Sequence, residues 1–176
     1  MAKNRLYKYV LAFDPSGSFY EGKGTTGWCI MDTKTKEVLI VGAIKATDFS
    51  VPEEYWGTHL ELIRTAKKTY KSLAVSVEDY LLYQDKAISQ VNSRFETVQL
   101  IGILKYYCYT NNIYLKLRPA VIVKKRWSND VLLHHNIIHM RKRKYYVKCR
   151  SEALLTHELD AIRHATHYSY FENKED

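Results

Sequence analysis

Apolar and polar positions along the chain form two kinds of pattern, and the first kind consists of short apolar runs. Five runs rich in aromatic and branched aliphatic residues predict β-strands: YKYVLAFD, WCIMD, EVLIVGAI, SLAVSVED and NNIYLKLRP. The first three are joined by polar turn sequences, so they are predicted to form an antiparallel meander. Pro119 is predicted to end the fifth strand.

The second kind of pattern places apolar residues at every third or fourth position and predicts helices. Pro52 and the two glutamates after it favour a helix that runs to about Tyr70. Further helices are predicted from Ala87 to Tyr109, from Ser128 to Met140 and over THELDAIRHATH at 156–167, which a basic linker precedes. This order of elements predicts an α/β fold with a five-stranded mixed sheet, three antiparallel strands and then two parallel ones, flanked by helices.

Composition is consistent with one folded domain over residues 1–176, since 46% of the residues are hydrophobic. No apolar run approaches the roughly 18 residues that a membrane span needs. The apolar stretch Tyr9–Phe13 is too short for a signal peptide. Cys29, Cys108 and Cys149 are odd in number and far apart, as expected for reduced thiols. A cytoplasmic protein without a membrane partner is therefore predicted.

Positive charge is concentrated in one segment. Between Arg118 and Arg150 there are ten Lys or Arg residues and one acidic residue, a local charge of +9. The rest of the chain is left with −1, since the whole chain carries +8. Aromatic residues alternate with the cations in KKRW and RKRKYYVK, which favours a nucleic-acid partner, because cations neutralise phosphates and rings stack on bases. The alternative is a solvated pair of charged helices.

Two carboxylates follow the apolar cores of predicted strands. Asp14 ends the first strand and Glu78 lies near the end of the fourth. If the first strand is central, these two strands are neighbours and both side chains lie at one edge of the sheet. Adjacent carboxylates repel one another and are tolerated best around a cation. The alternative is that each acid merely begins a loop.

The segment THELDAIRHATH adds a second cluster of side chains that can bind metal ions or move protons. His157, Asp160 and His164 share one face of the predicted helix, and Thr156 is a candidate N-cap. The apolar residues Leu155, Leu159 and Ile162 are predicted to face the core. Taken alone, the segment is better explained as a capped amphipathic helix with polar residues facing water. The two strand-end carboxylates and the basic segment together favour a site instead.

Taken in order, these features resemble the ribonuclease H-like nucleases, and within them the RuvC-type Holliday junction resolvases, in the branch encoded by phages such as those of lactococci. The resemblance rests on Asp14-Pro15, Thr26-Gly27-Trp28, Glu78, Gln99 and Gly102, the segment RPAVIVKKRW, and Asp160 in HELDAIRHA. The family usually has two aspartates three residues apart in the last helix. Here His157 takes the first of these positions, and Glu158 is a candidate substitute.

The resemblance implies a metal-dependent endodeoxyribonuclease that cuts four-way junctions as a homodimer in a bacterial host cytoplasm. It implies that Asp14, Glu78, His157 and Asp160 bind Mg²⁺, with Mn²⁺ able to substitute, and carry the catalysis. His164 lies a turn further along and is expected to matter less. Eight residues are candidates for DNA binding: Tyr80, Lys124, Lys125, Arg126, Arg141, Lys142, Arg143 and Lys144. The segment IGILKYYCYT is predicted to form the dimer contact through Ile103, Tyr106 or Tyr107.

Three alternatives remain beside a resolvase. A non-catalytic DNA-binding protein of the same fold is favoured by His157. A ribonuclease H acting on RNA–DNA hybrids is a further alternative, although the long basic segment and the His157–Asp160 pair fit a resolvase better. An actin-like phosphotransferase also places an Asp and a Thr-Gly turn near its first strand, but 176 residues are too few for its paired domains. The loop between Asp14 and Thr26 is longer than usual for the resolvases and is a further candidate for DNA contact.

Overall fold

The computed structural model describes residues 6–80 and 95–173, and its centre is a five-stranded mixed sheet. The strands are β1 (Tyr9–Asp14), β2 (Thr25–Asp32), β3 (Val38–Lys45), β4 (Leu73–Asp79) and β5 (Leu115–Pro119). Their order across the sheet is β3-β2-β1-β4-β5. The first three strands are antiparallel, whereas β4 runs parallel to β1 and β5 runs parallel to β4. The predicted α/β fold and sheet composition are confirmed.

Among the described residues, five α-helices accompany the sheet: α1 (Pro52–Thr69), α2 (Glu96–Thr110), α3 (Ala120–Arg126), α4 (Asn129–His134) and α5 (Thr156–His167). A 3-10 turn spans Ala46–Asp48, and a π-helical turn, Tyr168–Glu172, continues α5. Two short strands, β6 (His139–Arg141) and β7 (Lys144–Tyr146), form a separate antiparallel pair. Within the described ranges no helix combines the length and apolar character needed to cross a membrane.

Alternation of side chains along β1 divides the core into two layers. Leu11 and Phe13 face α1 and α2 and pack with residues such as Leu104. Val10 and Ala12 face the other side and pack with the apolar residues of α5, α3 and α4. The central strands are therefore buried on both faces, as expected for a sheet covered by helices.

The helix predicted from Ala87 to Tyr109 is confirmed only in its second part. Residues 87–94 lie outside the described residues, and α2 begins at Glu96. Phe95 has a φ of 49°, a left-handed conformation that is incompatible with continuing an α-helix through it. The predicted helix α1 ends at Thr69, one residue before the predicted end at Tyr70, so that prediction is confirmed.

The helix predicted from Ser128 to Met140 is wrong beyond His134. Ser128 caps α4 by accepting a hydrogen bond from the Val131 N–H over 3.3 Å. Asn136 has a φ of 55°, which ends the helical path. Met140 then lies in β6, so the segment predicted as a linker is a hairpin. The helix α3 was not predicted; it begins directly after Pro119, whose fixed φ suits the N-cap position.

Candidate active site

Asp14 and Glu78 lie at the same edge of the sheet, as predicted. The parallel pairing of β1 and β4 sets Phe13 opposite Val77, so the next residue on each strand is a carboxylate. Asp14 is buried and Glu78 is half-buried. Both strands point their carboxyl ends at this edge, where loops and helix ends supply further polar groups.

The first turn of α5 brings His157 against Asp14. His157 Nδ1 lies 2.6 Å from Asp14 Oδ2. This approach depends on Gly27, which pairs with Asp14 across the β1–β2 ladder. A Cβ atom at Gly27 would lie 2.0 Å from the His157 carbonyl oxygen, so only glycine lets the helix backbone lie this close to β2. The Thr-Gly sequence noted above thus has a packing function.

The Asp14–His157 pair is shaped by opposing electrostatic effects. Burial raises the pKa of Asp14 and outweighs the hydrogen bond with His157, and the nearby charges of Glu78 and Asp160 raise that pKa further. The hydrogen bond to Asp14 raises the pKa of His157 against the opposing effect of its own burial. His157 therefore stays protonated to a higher pH than a free histidine, and its Nδ1–H donates a hydrogen bond to Asp14 Oδ2.

Glu78 is held by a histidine from the interior. His164 Nε2 lies 3.1 Å from Glu78 Oε2, and the His164 side chain is fully buried. Burial of Glu78 disfavours its ionisation, but the His164 hydrogen bond and the charges of His164 and Lys124 outweigh that effect, so its pKa is lowered. Glu78 is thereby kept ionised and its rotamer is fixed by a neighbour with little freedom to move.

Asp160 lies between two cationic side chains. Lys124 Nζ is 2.9 Å from Asp160 Oδ2 and 3.5 Å from Glu78 Oε2, so one ammonium group serves both carboxylates. Burial lowers the pKa of Lys124, but the bond to Asp160 and the surrounding carboxylates reverse that effect and the net shift is upward. Arg163 Nη1 donates to the other oxygen of Asp160.

Arg163 also links Asp160 to the junction of α3 and α4. Its Nε donates to the Trp127 carbonyl over 3.0 Å, and its Nη2 donates to Asn129 Oδ1 over 2.5 Å. All three hydrogen-bonding partners are fixed by secondary structure or by burial. The guanidinium group therefore orients Asp160 through Oδ1, whereas Lys124 contacts Oδ2.

Glu158, the substitute ligand that the sequence left open, is engaged by other partners in the structure. Both of its carboxylate oxygens accept hydrogen bonds from Arg150 at 2.7 Å, and Oε2 also accepts the Leu155 N–H at 2.7 Å. Glu158 is buried, and it caps the helix from within. The predicted cap at Thr156 is wrong, because Thr156 is the first helical residue, and Leu155 is exposed instead of facing the core.

The side chains of the cluster are of the type that binds a hard cation, but they are not arranged around a common position for one. Three carboxylates converge at one edge of the sheet, and oxygen ligands are those that Mg²⁺ prefers. Two of them already share a cation, the ammonium group of Lys124. As the side chains stand, however, no three His, Cys, Asp or Glu residues among those the structure describes could jointly hold a metal ion. Metal binding would require them to turn from their present partners.

A cleft of about 250 Å³ opens beside these residues. Its lining includes Glu78, His157, Tyr80, Thr97 and Ala120. The structure therefore brings the candidate stacking residue Tyr80 into the same cleft as two of the four predicted catalytic residues. Ala120, the first residue of α3, lines the cleft, and the same helix carries Lys124.

The remaining predicted DNA-binding residues lie in two places outside the cleft. Lys125 is exposed on α3, and the Arg126 guanidinium lies 4.2 Å above the centre of the Phe171 ring. Arg141, Lys142, Arg143 and Lys144 are all exposed on the β6–β7 hairpin. Only Lys124, of the seven candidate cations, contacts the predicted catalytic carboxylates.

The loop after Asp14 is fastened to the beginning of α2. Glu96 Oε2 accepts the Phe19 N–H at 2.6 Å, and Thr97 Oγ1 accepts the Gly17 N–H at 3.0 Å. A Cβ atom at Gly17 would lie 2.1 Å from the Glu96 carbonyl carbon, so the two segments are in backbone contact. This loop is therefore part of the wall of the cleft.

A buried hydrogen-bond network supports the same loop from the α1 side. His59 Nδ1 donates to the Tyr55 carbonyl at 2.7 Å, so its Nε2 accepts from the Thr26 hydroxyl at 2.9 Å. Thr26 Oγ1 in turn accepts the Ser16 N–H at 3.1 Å, and the Tyr55 hydroxyl donates to the Ser16 carbonyl at 2.5 Å. Burial lowers the pKa of His59 to about 4, so this residue is neutral.

The structure adds two residues to the site that the sequence interpretation missed or undervalued. Arg163 follows Asp160 by three positions on α5, a spacing that places the two side chains together on a helix and could have identified the pair. His164 was expected to matter less than His157, yet it contacts Glu78 directly.

A scan against protein-family models finds no match, and a comparison with curated protein sequences finds none either. Among solved structures, RuvC of T. thermophilus in complex with a Holliday junction substrate superposes with a TM-score of 0.67 at 14% identity, over 94% of this chain and 95% of that one. A structure of Thermus thermophilus RuvC gives a TM-score of 0.63 at 16% identity, over 93% and 95% of the two chains. At these identities the likeness establishes the fold, and the chain has the ribonuclease H-like fold of RuvC, with its mixed five-stranded sheet and flanking helices.

Proposed function

We propose that this protein is a metal-dependent, structure-selective endodeoxyribonuclease that cuts four-way DNA junctions by paired nicks. In this proposal it is a RuvC-type resolvase of the phage-encoded branch and acts in a bacterial cytoplasm. The observation that carries the proposal is the convergence of Asp14, Glu78 and Asp160 at one edge of a sheet with the RuvC fold. The solved neighbour was crystallised with a Holliday junction substrate, which supports the substrate class.

Mg²⁺, or Mn²⁺ in its place, would be held by Asp14, Glu78 and Asp160 with His157 beside them, and would activate water and stabilise charge on the phosphate. The protein's own contribution is to hold these ligands. His157 orients Asp14, His164 orients Glu78, and Arg163 orients Asp160. Lys124 adds a positive charge beside Glu78 and Asp160, where its ammonium group is placed to pair with a phosphate of the bound strand.

DNA would be held mainly through phosphate contacts with the exposed cations of α3 and of the β6–β7 hairpin. Tyr80 lines the cleft next to Glu78, a position suited to stacking on an unpaired base at the crossover. This division separates binding from chemistry. The carboxylates supply the reaction, and the basic segment supplies most of the affinity.

A homodimer is proposed because two opposed strands must be cut and the described part of one chain contains one such carboxylate cluster. The candidate contact is α2, where Tyr106 and Tyr109 are 72% and 82% exposed. Ile103 and Tyr107 on the same helix are partly exposed. Sedimentation at micromolar concentration tests this proposal, and Tyr106→Ser combined with Tyr109→Ser is expected to shift the mass towards a monomer.

The decisive experiment is digestion of a panel of end-labelled DNAs: a four-way junction, a fork, a flap, a linear duplex and an RNA–DNA hybrid. Each is incubated with Mg²⁺, with Mn²⁺ and with EDTA. Symmetric nicks in the junction that require metal support the proposal. Asp160→Asn should abolish them, whereas Asp130→Asn, which removes an exposed acid on α4, should leave them unchanged.

The alternative function is DNA binding without cleavage. It is favoured by one observation, that the carboxylates are engaged by Lys124, Arg163 and two imidazoles and do not form a ready metal cage. Junction binding with no nicks in either metal would support this alternative. Cleavage of the hybrid in preference to the junction would instead favour a ribonuclease H.

A further inference from the structure

The β6–β7 hairpin carries an unusual concentration of exposed charge. Arg141, Lys142, Arg143 and Lys144 are consecutive and exposed at its tip. Within the part of the chain that the structure describes, none of the four forms an ion pair with a carboxylate, although several other cations do. Nothing in the described fold compensates their charge.

The conformation of the tip is unfavourable for the residues that occupy it. Lys142 and Arg143 form a two-residue turn with φ values of 49° and 62°. Such a turn needs a positive φ at both positions and therefore prefers Asn-Gly or Asp-Gly. A residue with a Cβ atom pays roughly 1–2 kcal/mol for a left-handed conformation.

The strand positions next to the tip add a second unfavourable feature. Arg141 pairs directly with Lys144 across the ladder, so two like charges face each other. Like charges at directly opposite positions destabilise a strand pair. Local strain and local repulsion of this kind, retained together, are typical of a segment whose side chains serve an interaction.

The base of the hairpin is firmly attached to the protein. Ile138 and Val147 flank the two strands and are buried in the core layer on the α5 side. The Tyr145 carbonyl accepts the Leu154 N–H at 2.8 Å, and Leu154 precedes His157 by three residues. The charged tip is thus presented on a rigid stem that is tied to the segment leading into α5.

We propose that the β6–β7 hairpin is a DNA-anchoring ribbon that enters the major groove of a duplex arm and contacts phosphates with Lys142 and Arg143. A two-stranded ribbon fits the major groove, which is about 12 Å wide. The anchor is separate from the carboxylate cluster, so it sets affinity and the placement of the arm without taking part in the reaction. This inference rests on the proposed DNA-binding function.

The test exploits the mismatch between the turn and its residues. Lys142→Asn combined with Arg143→Gly installs the preferred residue pair and removes two charges. The thermal midpoint should rise or stay unchanged, whereas DNA affinity should fall, and these opposite signs separate an interaction function from a structural one. The matched control is Lys68→Ala combined with Lys71→Ala. It removes two exposed charges near the beginning of β4, at the end of the strand opposite Glu78.

Affinity for a linear duplex, for a four-way junction and for a single strand is measured by fluorescence anisotropy in EDTA at several salt concentrations. Each lost phosphate contact makes the plot of log association constant against log salt concentration less steep by about 0.9. The slope of the turn variant should therefore be smaller in magnitude by about 2. We expect the affinity of the turn variant to be about 10- to 100-fold lower than that of the wild type near physiological salt. The swap Lys142→Arg with Arg143→Lys should retain the full slope.

An unchanged slope in the turn variant, with a wild-type protein that binds and cuts, would overturn the anchor and leave the proposed nuclease intact. An equal change of slope in the Lys68 and Lys71 control would also overturn the anchor, since the removal of any two charges would then have the same effect on the salt dependence. A change confined to single-stranded DNA would overturn the duplex assignment. A wild-type protein without affinity for DNA would refute the proposed function itself.

Discussion

Replacing Gly27 by alanine tests whether the contact between β2 and α5 sets the geometry of the site. The new Cβ atom would lie 2.0 Å from the His157 carbonyl oxygen, where real Cβ atoms essentially never come closer than 3.0 Å. The obstructing atoms belong to the helix backbone, so a side-chain rotation cannot relieve the clash. The first turn of α5 must move away from β2 by at least the difference between these distances, about 1 Å.

This displacement acts directly on two of the proposed ligands, because His157 lies in the turn that moves and Asp14 pairs with Gly27 on the strand that does not. A displacement of about 1 Å in a catalytic site can lower a rate by about 100-fold. We therefore expect Gly27→Ala to lower the single-turnover rate of junction nicking by about that factor. Overpacking should also cost about 1–3 kcal/mol of stability.

The rate is measured with end-labelled junction at saturating protein and Mn²⁺, and the free energy of unfolding is measured in urea. Gly57→Ala is the matched control, since a Cβ atom there meets nothing within 4 Å on helix α1. It should leave the nicking rate unchanged and stabilise the protein by roughly 0.5–1 kcal/mol. A Gly27→Ala protein that nicks at nearly the wild-type rate would refute the proposed dependence of the site on this contact.

Three further predictions follow from the site. Asp14→Asn and Glu78→Gln should each abolish nicking while junction affinity in EDTA changes less than threefold, and nicking by either variant would remove that residue from the site. His164→Ala should lower the nicking rate at least tenfold and raise the Mn²⁺ concentration needed for nicking. His164→Gln should recover most of the lost rate, because its amide N–H can replace Nε2 as the donor to Glu78. Equal nicking rates in the two variants would contradict the orienting role of His164. His59 stays neutral in the folded protein down to about pH 4, whereas in the unfolded chain it takes up a proton below about pH 6.5. The free energy of unfolding should therefore fall by an amount on the order of 3 kcal/mol as the pH is lowered between those values. Urea unfolding should show that this part of the slope disappears in His59→Gln.

The sequence was sufficient for the sheet and for the position of the strand-end carboxylates. Strands β1 and β4 have continuous buried cores, and their carboxyl ends fix Asp14 and Glu78 whatever the details of the loops. His157 and Asp160 also followed from local spacing, because their relation is set by one helix. Each of these predictions depends on a periodicity contained within a single element.

The residues that hold the carboxylates could not be predicted in the same way. Whether His164 reaches Glu78 depends on the rotation of α5 about its axis relative to β4, which no local pattern fixes. Lys124 was assigned to DNA alone because α3 was not predicted, and only this helix directs its ammonium group to Asp160. The site therefore contains more positive charge than the sequence interpretation assumed.

The hairpin was missed for a reason that also bears on its proposed role. Ile137 and Ile138 continue the apolar spacing of α4 and suggest a longer helix, whereas both are buried after a left-handed Asn136. The pair Lys142-Arg143 carries no turn signal, because hairpin turns are normally marked by Asn or Gly. Sequence rules fail here at the residues where the structure departs from local preference.

The contact between α5 and the sheet also has a consequence for how the protein is made. Asp14 and His157 are 143 positions apart along the chain, and Glu78 and His164 are 86 apart. Pairings of such long range form late in folding, because the loops between them must close first. On the ribosome, β1 to β4 emerge well before α5, so a nascent chain exposes Asp14 and Glu78 without the helix that completes the cluster. The growing polypeptide is therefore expected to stay inactive towards DNA until α5 has been translated and has docked against β2.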